Sequence, residues 1–600
     1  MFKKDRIYED LSPILKRVRV VFYVLGGLLA LILGYYWKVQ ILDHQKYWQL
    51  AESNRLRERA LPAPRGVITE RNGKIILANN TAGFKVSIIR ENIKDFEASY
   101  RNISHLLGID EADIKARIEK YGSVAAFQPI VVKDNLTSEE VSRIEARKLE
   151  FPELEVEIEP KRSYPFGASA AHVLGYVQEL SPEDFKTGVA GKRHWGDMAG
   201  RTGIERQYDD VLTGEDGRLL EIVDSFGRSR GEMAREGPRQ GKSLRLSLDY
   251  DLQKKAEELL QDKEGTIVAL DPKTGEVLAL ASFPTYDPNK FISRFTPEEW
   301  LSLINDPAYP LENRAIRGLY SPGSIFKIVM AAAGLDSGFV NGRTVYFCGG
   351  SQEIYGNVFS CWFKPGHGMM NLTNGIKNSC NVYFYNLGRR MGIEPIASYA
   401  RLMGLGQKTG IDIPGEKEGL VPDPEWKLKT SKAPWYRGET ISVSIGQGPL
   451  LVTPLQIADM VACVANRGVR IIPRLVFPEG GKEESGKTAV PIKRETFETV
   501  IQGMWMSVND EGTGRGARVE GFDVCGKTGS TQWISTERAD KLQHQGKEIK
   551  KTHSWFAGFA PRSDPKIVVT VLVEFGGSGG AAAAPLAGQF FDVYRKKYDR

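Results

Sequence analysis

A serine and a lysine stand three residues apart in the segment Tyr320–Leu335, YSPGSIFKIVMAAAGL. Residues at positions i and i+3 share one face of a helix, so the Ser324 hydroxyl and the Lys327 amine can approach each other. Burial among the apolar residues that follow disfavours the charged amine, and a neutral amine can accept the hydroxyl proton. The pair therefore suits a nucleophile and its base. In the alternative interpretation, Ser324 caps the helix and Lys327 extends to solvent.

A second motif, Ser379-Cys380-Asn381, lies downstream in KNSCNVYFYNLG. Acyl transfer from a peptide requires a proton path to the leaving amine as well as a nucleophile and a base. The Ser379 hydroxyl can both donate and accept, so it can relay that proton, and the Asn381 amide can hold a substrate amide. The motif supplies groups that the first pair lacks.

A third motif, Lys527-Thr528-Gly529-Ser530, lies in FDVCGKTGSTQ. Lys527 and the hydroxyls of Thr528 and Ser530 can bind a C-terminal carboxylate. Gly529 lets a substrate backbone approach the edge of a strand and add to it. The same segment also matches the phosphate-loop pattern G-x-x-x-x-G-K-[ST]. Because Phe-Asp-Val-Cys indicates a strand and the residues after the motif begin a helix poorly, the phosphate loop is the weaker interpretation.

Three of the five cysteines and one of the seven histidines fall within 33 residues, as Cys348, Cys361, His367 and Cys380. This Cys/His cluster suits a closed tetrahedral zinc site. The alternative is a Cys348–Cys361 disulfide, with Cys380 as a small buried apolar residue. A histidine has no role in a disulfide and three cysteines leave one unpaired, so the pattern favours zinc. Because Cys380 is the middle residue of the second motif, its side chain should point away from those of its neighbours.

The N-terminal segment predicts a membrane anchor. Val20–Trp37 carries no charge over 18 residues, and at about 1.5 Å per residue it nearly crosses a hydrocarbon core of about 30 Å. Residues 1–19 form a basic tail, which the positive-inside rule keeps in the cytoplasm, while everything after Lys38 is exported. A cleaved signal peptide is the alternative, but no small-x-small site follows the apolar run. The next segment, His44–Leu61, predicts a helix.

The rest of the chain is long enough for two folded domains. The 600 residues are 41% hydrophobic and 26% charged, and the net charge of +6 is spread along the chain, which gives no argument for nucleic acid. Residues 38–245 predict a mixed α/β domain with a hairpin at Asn72-Gly73 and a capped helix at Thr137. Residues 246–600 alternate helical and strand patterns, which predicts an α+β domain that carries all three motifs.

In chain order, Ser-x-x-Lys, Ser-x-Asn and Lys-Thr-Gly form the signature of penicillin-binding proteins and serine β-lactamases. The sequence resembles the class B, monofunctional penicillin-binding proteins, and among them the elongation-type members. The resemblance covers nearly the whole chain and includes RGVITERNG, YPFGASAAHVLGYV, GRTGIERQYDDVLTG, NRAIRGLYSPGSIFK, SVSIGQGPLLVTPLQIA and SWFAGFAP. Two positions depart from the family's usual residues, Glu70 in place of Asp and Ser530 in place of Thr. Nothing before residue 245 resembles a glycosyltransferase domain.

The resemblance implies an α+β fold. An antiparallel sheet with helices on both faces forms the transpeptidase domain, residues 246–600. Before it comes a mixed α/β pedestal of the dimerisation type, residues 38–245. Residues 20–37 span the inner membrane once, the basic tail stays in the cytoplasm, and the C-terminal domains lie in the periplasm.

The resemblance also implies D,D-transpeptidation of peptidoglycan during cell elongation. Ser324 attacks the D-Ala-D-Ala bond of a stem peptide, D-Ala leaves, and the acyl group passes to an amine of a neighbouring stem. The backbone N–H groups of Ser324 and Ser530 form the oxyanion hole, and β-lactam antibiotics acylate the serine. No organic cofactor is implied, and elongation-type relatives can carry a metal at the place of the Cys/His cluster.

Partners follow from the same resemblance. The glycan comes from a lipid-linked precursor that a separate enzyme polymerises, and the expected partner is a SEDS-family membrane glycosyltransferase. A division-type transpeptidase stays open, as do a D,D-carboxypeptidase, a β-lactamase and a β-lactam-binding sensor that use the same Ser–Lys pair. The anchored pedestal argues against the hydrolytic alternatives, and the complete motif set argues against an idle scaffold. A sensor is expected to carry a cytoplasmic signalling domain.

Overall fold

The computed structural model describes residues 12–598 except 123–125, 127, 135, 189–190, 192, 194–195, 225–228, 293–294, 479–485 and 533–551. The first part of the predicted basic tail, residues 1–11, lies outside the described residues. The chain divides into two compact units. The first unit contains Met1–Ala63, Gly83–Glu159 and Glu215–Arg239, and the second contains Pro64–Ala82, Pro160–Gly214 and Gln240–Arg600. Segments on both sides of residue 245 contribute to the second unit.

The part of the chain before residue 246 consists mostly of short helices and strands. Its helices are α1 (Ser12–Trp37), α2 (His44–Arg55), α3 (Phe96–Leu107), α4 (Glu111–Lys120), α5 (Ser138–Ala146), α6 (Ala171–Leu174), α7 (Pro182–Lys186), α8 (Gly203–Gln207) and α9 (Asp209–Leu212). Its strands are β1 (Leu56–Leu61), β2 (Ile68–Thr69), β3 (Ile76–Ile88), β4 (Ile130–Lys133), β5 (Leu154–Ser163), β6 (Val177–Glu179), β7 (Met198–Gly200), β8 (Gly217–Val223), β9 (Ser229–Glu236) and β10 (Leu244–Arg245).

The first helix confirms the predicted apolar segment. The stretch Ile14–Leu42 is apolar and long enough to cross a membrane, and it is the one such helix among the described residues. Its large apolar side chains are exposed, with Phe22 at 75% and Leu31 at 73% of full accessibility. Such a surface suits lipid rather than water as its surroundings. The chain therefore has one N-terminal helix suited to a single-pass anchor.

The helix predicted over His44–Leu61 ends earlier than expected. α2 stops at Arg55, and the next six residues form β1. β1 pairs antiparallel with β8, from Leu56 opposite Ile222 to Leu61 opposite Gly217. A partner strand so distant in sequence satisfies the backbone groups of β1, and no local pattern signals that pairing.

The first unit has its own apolar core. The helix predicted at Thr137 is α5, and a capping box joins the side chains of Thr137 and Glu140 to each other's backbone N–H groups. Helices α3, α4 and α5 pack with β4 and the end of β3 around buried side chains such as Ile88, Ile103 and Ile114. Their helical and strand spacing places these apolar residues on one side of each element.

A buried ion cluster joins separate segments of the second unit. The Glu205 carboxylate on α8 is fully buried. It accepts a hydrogen bond from Arg162 Nε at 2.6 Å and another from an Arg65 guanidinium nitrogen at 2.8 Å. Burying a carboxylate costs several kcal/mol unless it is paired and hydrogen-bonded. The two guanidinium groups therefore stabilise the buried charge of Glu205. The predicted hairpin lies in the same unit, where β2 pairs with β3 around Asn72-Gly73.

The elements after residue 246 build the larger part of the second unit. Its helices are α10 (Tyr250–Leu260), α11 (Pro297–Ile304), α12 (Lys327–Asp336), α13 (Leu372–Lys377), α14 (Asn381–Met391), α15 (Ile393–Leu402), α16 (Pro424–Ser431), α17 (Arg437–Val443), α18 (Pro454–Ala465), α19 (Arg494–Asn509) and α20 (Ala583–Tyr598). Its strands are β11 (Gly265–Leu270), β12 (Val277–Phe283), β13 (Tyr346–Cys348), β14 (Ser351–Ile354), β15 (Asn357–Ser360), β16 (Gly368–Met370), β17 (Val469–Ile471), β18 (Lys487–Ala489), β19 (Cys525–Gln532), β20 (Thr552–Ala560) and β21 (Ile567–Val573).

The central sheet has five strands in the order β12-β11-β21-β20-β19, and neighbouring strands are antiparallel. On β11, Ile267 and Ala269 pack into a core that includes α10 and α20. Val268 and Leu270 pack into the core on the other face, which includes α12 and α18. These faces confirm the predicted antiparallel sheet with helices on both sides. β19 lies at one edge, where its outer backbone groups can pair with an added strand.

Candidate active site

The Ser324 turn, Gly323–Phe326, is a 3-10 turn that leads directly into α12. Gly323 has a φ of +54°, and a Cβ there would lie 2.5 Å from Thr531 Cγ2 on β19. Only glycine suits both the left-handed backbone and this close approach. Ser324 is half-buried and Lys327, one turn later, is fully buried. The alternative in which Lys327 extends to solvent is therefore wrong.

The Lys327 amine lies against the second motif. Its Nζ donates to the Ser379 carbonyl oxygen at 2.8 Å and to Asn381 Oδ1 at 2.7 Å, and lies 3.2 Å from Ser379 Oγ. Burial lowers the pKa of Lys327 to about 8. When the amine is neutral it keeps two N–H donors and one lone pair, and the lone pair can accept a hydroxyl proton. Among the described hydrogen bonds, none joins Lys327 to Ser324.

The second motif stands between α13 and α14. Ser379 has a φ of +52°, a left-handed conformation that residues with a Cβ rarely adopt. Its N–H donates to the Ile376 carbonyl oxygen of α13. Asn381 is the first residue of α14, and its Nδ2 donates to the Ser360 carbonyl oxygen at 3.4 Å. The tight turn thus aims both the carbonyl and the hydroxyl of Ser379 at one buried amine.

The third motif lies inside β19, within Cys525–Gln532. The phosphate-loop alternative is therefore wrong, because it requires Lys527 to open a helix. Lys527 is fully buried, and burial together with the charge of nearby Lys327 holds its pKa well below the usual lysine range. A charged Lys327 disfavours a second charge at Lys527.

Glycines bring β19 into contact with its neighbours. A Cβ at Gly529 would lie 2.9 Å from the carbonyl oxygen of Pro322, which precedes the Ser324 turn, so this close approach requires a glycine. A Cβ at Gly579 would lie 2.3 Å from the Gly529 carbonyl oxygen, and the Gly579 N–H donates to Ser530 Oγ at 3.0 Å. The low-complexity stretch GGSGGAAAAP therefore packs on the third motif, a role that its composition does not reveal.

One hydroxyl of the site was not predicted from the sequence. Thr513 Oγ1 lies 2.8 Å from Thr528 Oγ1, and Thr513 belongs to the loop that follows α19. Its only sequence signal is the pair of flanking glycines in GTGRGA. Glycines of this kind indicate a tight loop, but they do not predict which residue the loop contacts.

The structure brings the predicted Cys/His cluster together. The ligand atoms of Cys348, Cys361, His367 and Cys380 all lie within 4.8 Å of one another. His367 Nδ1 is 3.6 Å from Cys348 Sγ and 3.5 Å from Cys361 Sγ. All five cysteines are free thiols, so the Cys348–Cys361 disulfide is not formed. The Cys380 side chain joins the cluster while its neighbours face Lys327, as the motif predicts.

The donor set and its spacing fit a tetrahedral ion. In a tetrahedral site, zinc bonds of about 2.3 Å to sulfur and about 2.1 Å to nitrogen place sulfur about 3.6 Å from nitrogen and about 3.8 Å from another sulfur. The interaction between the two neighbouring thiols lowers the pKa of Cys361 and raises that of Cys380.

Sequence comparisons agree with this geometry. Residues 265–592 match the penicillin binding protein transpeptidase domain, and residues 60–246 match the penicillin-binding protein dimerisation domain. Peptidoglycan D,D-transpeptidase MrdA of Acinetobacter baumannii is 34% identical over 593 residues, covering 96% of this chain and 88% of that protein. The MrdA of Escherichia coli K12 is 31% identical over 589 residues, covering 94% and 92%.

Solved structures of penicillin-binding proteins are also similar to this chain. In a complex between PBP2 and MreC from Helicobacter pylori, the matching chain has a TM-score of 0.78 at 28% identity, covering 90% of this chain and 99% of that chain. A chain from a peptidoglycan synthase complex that coordinates polymerization and crosslinking has a TM-score of 0.71 at 31% identity, covering 96% and 98%. The chain belongs to the penicillin-binding proteins, and within them to the class B group of PBP2 type.

Proposed function

We propose that this chain is a serine-type peptidoglycan D,D-transpeptidase that cross-links stem peptides during cell elongation. The observation that carries this function is the fully buried Lys327 amine, one turn from Ser324 and hydrogen-bonded to the second motif. With a pKa of about 8, part of the amine is neutral near pH 7 and can act as a base. The relatives named D,D-transpeptidase and PBP2 support the same function.

In the first half-reaction, Ser324 is the proposed nucleophile and Lys327 its base. Ser324 Oγ attacks the carbonyl carbon of the D-Ala-D-Ala bond while Lys327 takes the hydroxyl proton. The Ser379 hydroxyl, 3.2 Å from the amine, then gives its proton to the departing D-Ala nitrogen and takes the proton held by Lys327. Asn381 holds Lys327 through its amide oxygen and can hold a substrate amide through its N–H₂ group. In the second half-reaction, an amine of a neighbouring stem attacks the acyl-enzyme and the proton path reverses.

The third motif is proposed to bind the donor peptide. Lys527 and the hydroxyls of Thr528 and Ser530 receive the terminal carboxylate. β19 is the edge strand of the sheet, so the peptide can add to it as a further strand. The backbone N–H groups of Ser324 and Ser530 form the proposed oxyanion hole, which stabilises the negative charge that develops on the carbonyl oxygen during attack.

We further propose that the Cys/His cluster binds a structural zinc ion. The donor set and the distances among its ligand atoms support the ion. When bound, the zinc would fix Cys380, and with it the second motif, to the loop that carries Cys361 and His367. The chemical steps use only side chains and backbone groups of the chain, so the role of the ion is to hold Ser379 and Asn381 in place.

The proposed setting is the inner membrane, with α1 as the anchor and the catalytic residues in the periplasm. The proposed partner is a SEDS-family glycosyltransferase, which would make the glycan whose stem peptides this chain cross-links. Relatives in complex with MreC and in a peptidoglycan synthase complex support such an assembly. β-lactams are the proposed inhibitors, since they present an acyl group and a carboxylate to the same site.

Intact-mass analysis of the full chain in detergent tests the nucleophile. A penicillin should add once to the wild type and not to Ser324→Ala. Ser337→Ala, which removes a hydroxyl just beyond the end of α12, is the matched control and should acylate like the wild type. Lys327→Ala should fold and lose acylation, because a methyl group fits the apolar helix but accepts no proton. An adduct that persists on Ser324→Ala would show that Ser324 is not the nucleophile.

Product analysis with isolated donor and acceptor muropeptides tests the reaction. A cross-linked dimer with release of D-Ala supports transpeptidation. Release of D-Ala without a dimer would instead show that the chain is a carboxypeptidase. Absence of any turnover would show that it is a sensor or a scaffold. A fluorescent fusion that localises to the side wall supports elongation, whereas exclusive septal localisation would assign division.

A further inference from the structure

A short segment after α19 contacts the third motif and the end of α13, which precedes the second motif. Asp510 Oδ2 accepts a hydrogen bond from Lys377 Nζ at 2.8 Å, and the Thr513 N–H donates to the Lys377 carbonyl oxygen at 3.3 Å. Lys377 ends α13, two residues before Ser379. On its other side, Thr513 Oγ1 lies 2.8 Å from Thr528 Oγ1. Thr513 therefore stands between the third motif and the end of α13.

We propose that Thr513 is a positioning residue of the carboxylate subsite: its hydroxyl donates to Thr528 Oγ1 and so directs the Thr528 proton toward the substrate carboxylate. The proposal rests on the proposed function, in which the third motif binds that carboxylate. Nothing in the motif pattern of the sequence assigns a role to Thr513.

The argument follows from counting donors and acceptors. A hydroxyl has one proton to donate, and a carboxylate only accepts. If Thr528 donated to Thr513, it would present lone pairs to the carboxylate and repel it. Thr528 can bind the substrate only if its own proton points outward, which requires its other partner to be a donor. The two hydroxyl oxygens lie 2.8 Å apart, and because a hydroxyl can rotate to donate or to accept, Thr513 can take the donor role when Thr528 turns its proton to the carboxylate.

The backbone holds Thr513 where this role needs it. A Cβ at Gly512 would lie 2.5 Å from Ser507 Cα, so the loop packs closely on the end of α19. A Cβ at Gly580 would lie 2.8 Å from the Thr513 carbonyl oxygen, so the glycine stretch packs on the other side. Thr513 is half-buried and Thr528 is only 6% exposed. The hydroxyl pair thus lies on fixed backbone at the inner end of the proposed subsite.

Acylation by a penicillin and by its methyl ester tests the proposal. Thr513→Val should lower the rate constant for the free carboxylate by about tenfold, the effect of weakening one hydrogen bond to a charged group. It should leave the rate constant for the ester unchanged, because the ester presents no carboxylate. Thr513→Ser keeps the hydroxyl and should restore the wild-type ratio of the two rate constants. Thr513→Ala repeats the comparison without a branched side chain in case the valine variant does not fold.

Thr499→Val is the matched control, since it removes an exposed hydroxyl from α19 that bonds only the helix backbone among the described contacts. Thermal unfolding of each variant checks the fold. Equal losses for the carboxylate and the ester, or no loss for either, would overturn the positioning role. A wild type that no penicillin acylates would instead overturn the proposed function, so the two failures are distinguishable.

Discussion

Lys327 is completely buried, yet three polar atoms lie within hydrogen-bond distance of its amine. All three belong to neutral groups, two of Ser379 and one of Asn381. They replace part of the lost hydration, but none of them carries a charge that would stabilise an ammonium ion. The balance therefore favours a neutral amine more than water does, which is the property that a base for Ser324 needs.

The rate constant for penicillin acylation of Ser324 should increase about tenfold per pH unit as the pH rises toward 8, and it should level off above pH 8. Burial lowers the pKa of Lys327 to about 8, and only the neutral amine accepts the proton. The reactive fraction therefore grows as the pH rises through the pKa and then stays constant. The measurement is the second-order rate constant across this range, with circular dichroism to confirm the fold at each pH. A flat profile would contradict a neutral Lys327 base.

Within the candidate site, spacing along one element predicts only local contacts, whereas the Cys/His cluster and the set of three motifs are predicted from residue types and the family signature. Ser324 and Lys327 lie on one turn, so their spacing alone predicts a shared face. Thr513 and Thr528 are 15 residues apart and meet only because β19 joins the sheet beside the end of α19. No spacing rule for one helix or one strand covers such a contact. The packing of Gly579 on Gly529 is equally long-range.

At the scale of elements, the Cys/His cluster links four chain segments that carry little regular structure. Cys348 ends β13, Cys361 follows β15, His367 precedes β16 and Cys380 precedes α14. Hairpins whose strands have only three or four residues bury little apolar surface, so a shared metal ligand adds most to their stability. The second motif depends on this region because Asn381 bonds the Ser360 carbonyl oxygen.

Loss of the proposed zinc ion should lower Ser324 acylation and reduce the unfolding temperature. Metal analysis of protein purified without added zinc should find about one equivalent, and Cys361→Ser should lose it. Cys463→Ser, which alters a buried free cysteine of α18 outside the cluster, is the matched control. A peptide map showing a Cys348–Cys361 disulfide, in a sample without metal, would refute the zinc site.

Glu205→Gln should lower the free energy of unfolding by about 3–5 kcal/mol, because it leaves two buried guanidinium groups without their shared carboxylate. Arg65 and Arg162 both donate to that carboxylate. Glu183→Gln, on α7 with a side chain 73% exposed, is the matched control and should change stability little. Denaturant unfolding measures both variants. Equal effects would show that the ion cluster contributes no more than a surface charge.

The sequence predicts a helix or a strand pair well where the residues that contact each other are close in the chain. The β2–β3 and β11–β12 pairs follow from local turns, and α5 follows from its capping box. β1 was missed because its partner β8 lies far along the chain, and the charged residues of LRERAL resemble a helix. The order of the central sheet likewise depends on pairing between β11 and β21, which the family resemblance supplies and local patterns do not.

At the scale of the whole molecule, the apolar helix and the proposed chemistry belong to different compact units. α1 lies in the first unit, and all three motifs and the Cys/His cluster lie in the second. Every described hydrogen bond of Lys327 also ends within the second unit. The anchor is thus expected to set where the enzyme acts and not how fast Ser324 reacts.

A chain that begins at His44 should therefore be soluble without detergent and should acylate within about twofold of the full-length rate, since its folded units are retained. The deletion removes Ile14–Leu42, whose side chains are exposed and apolar, and removes no residue of the proposed site. The full chain should sediment with membranes in the same ultracentrifugation, and the shortened Ser324→Ala chain should take up no penicillin. Sedimentation of the shortened chain with membranes would reveal a second membrane-binding surface. Slow acylation at an unchanged unfolding temperature would show that the anchor region shapes the catalytic unit.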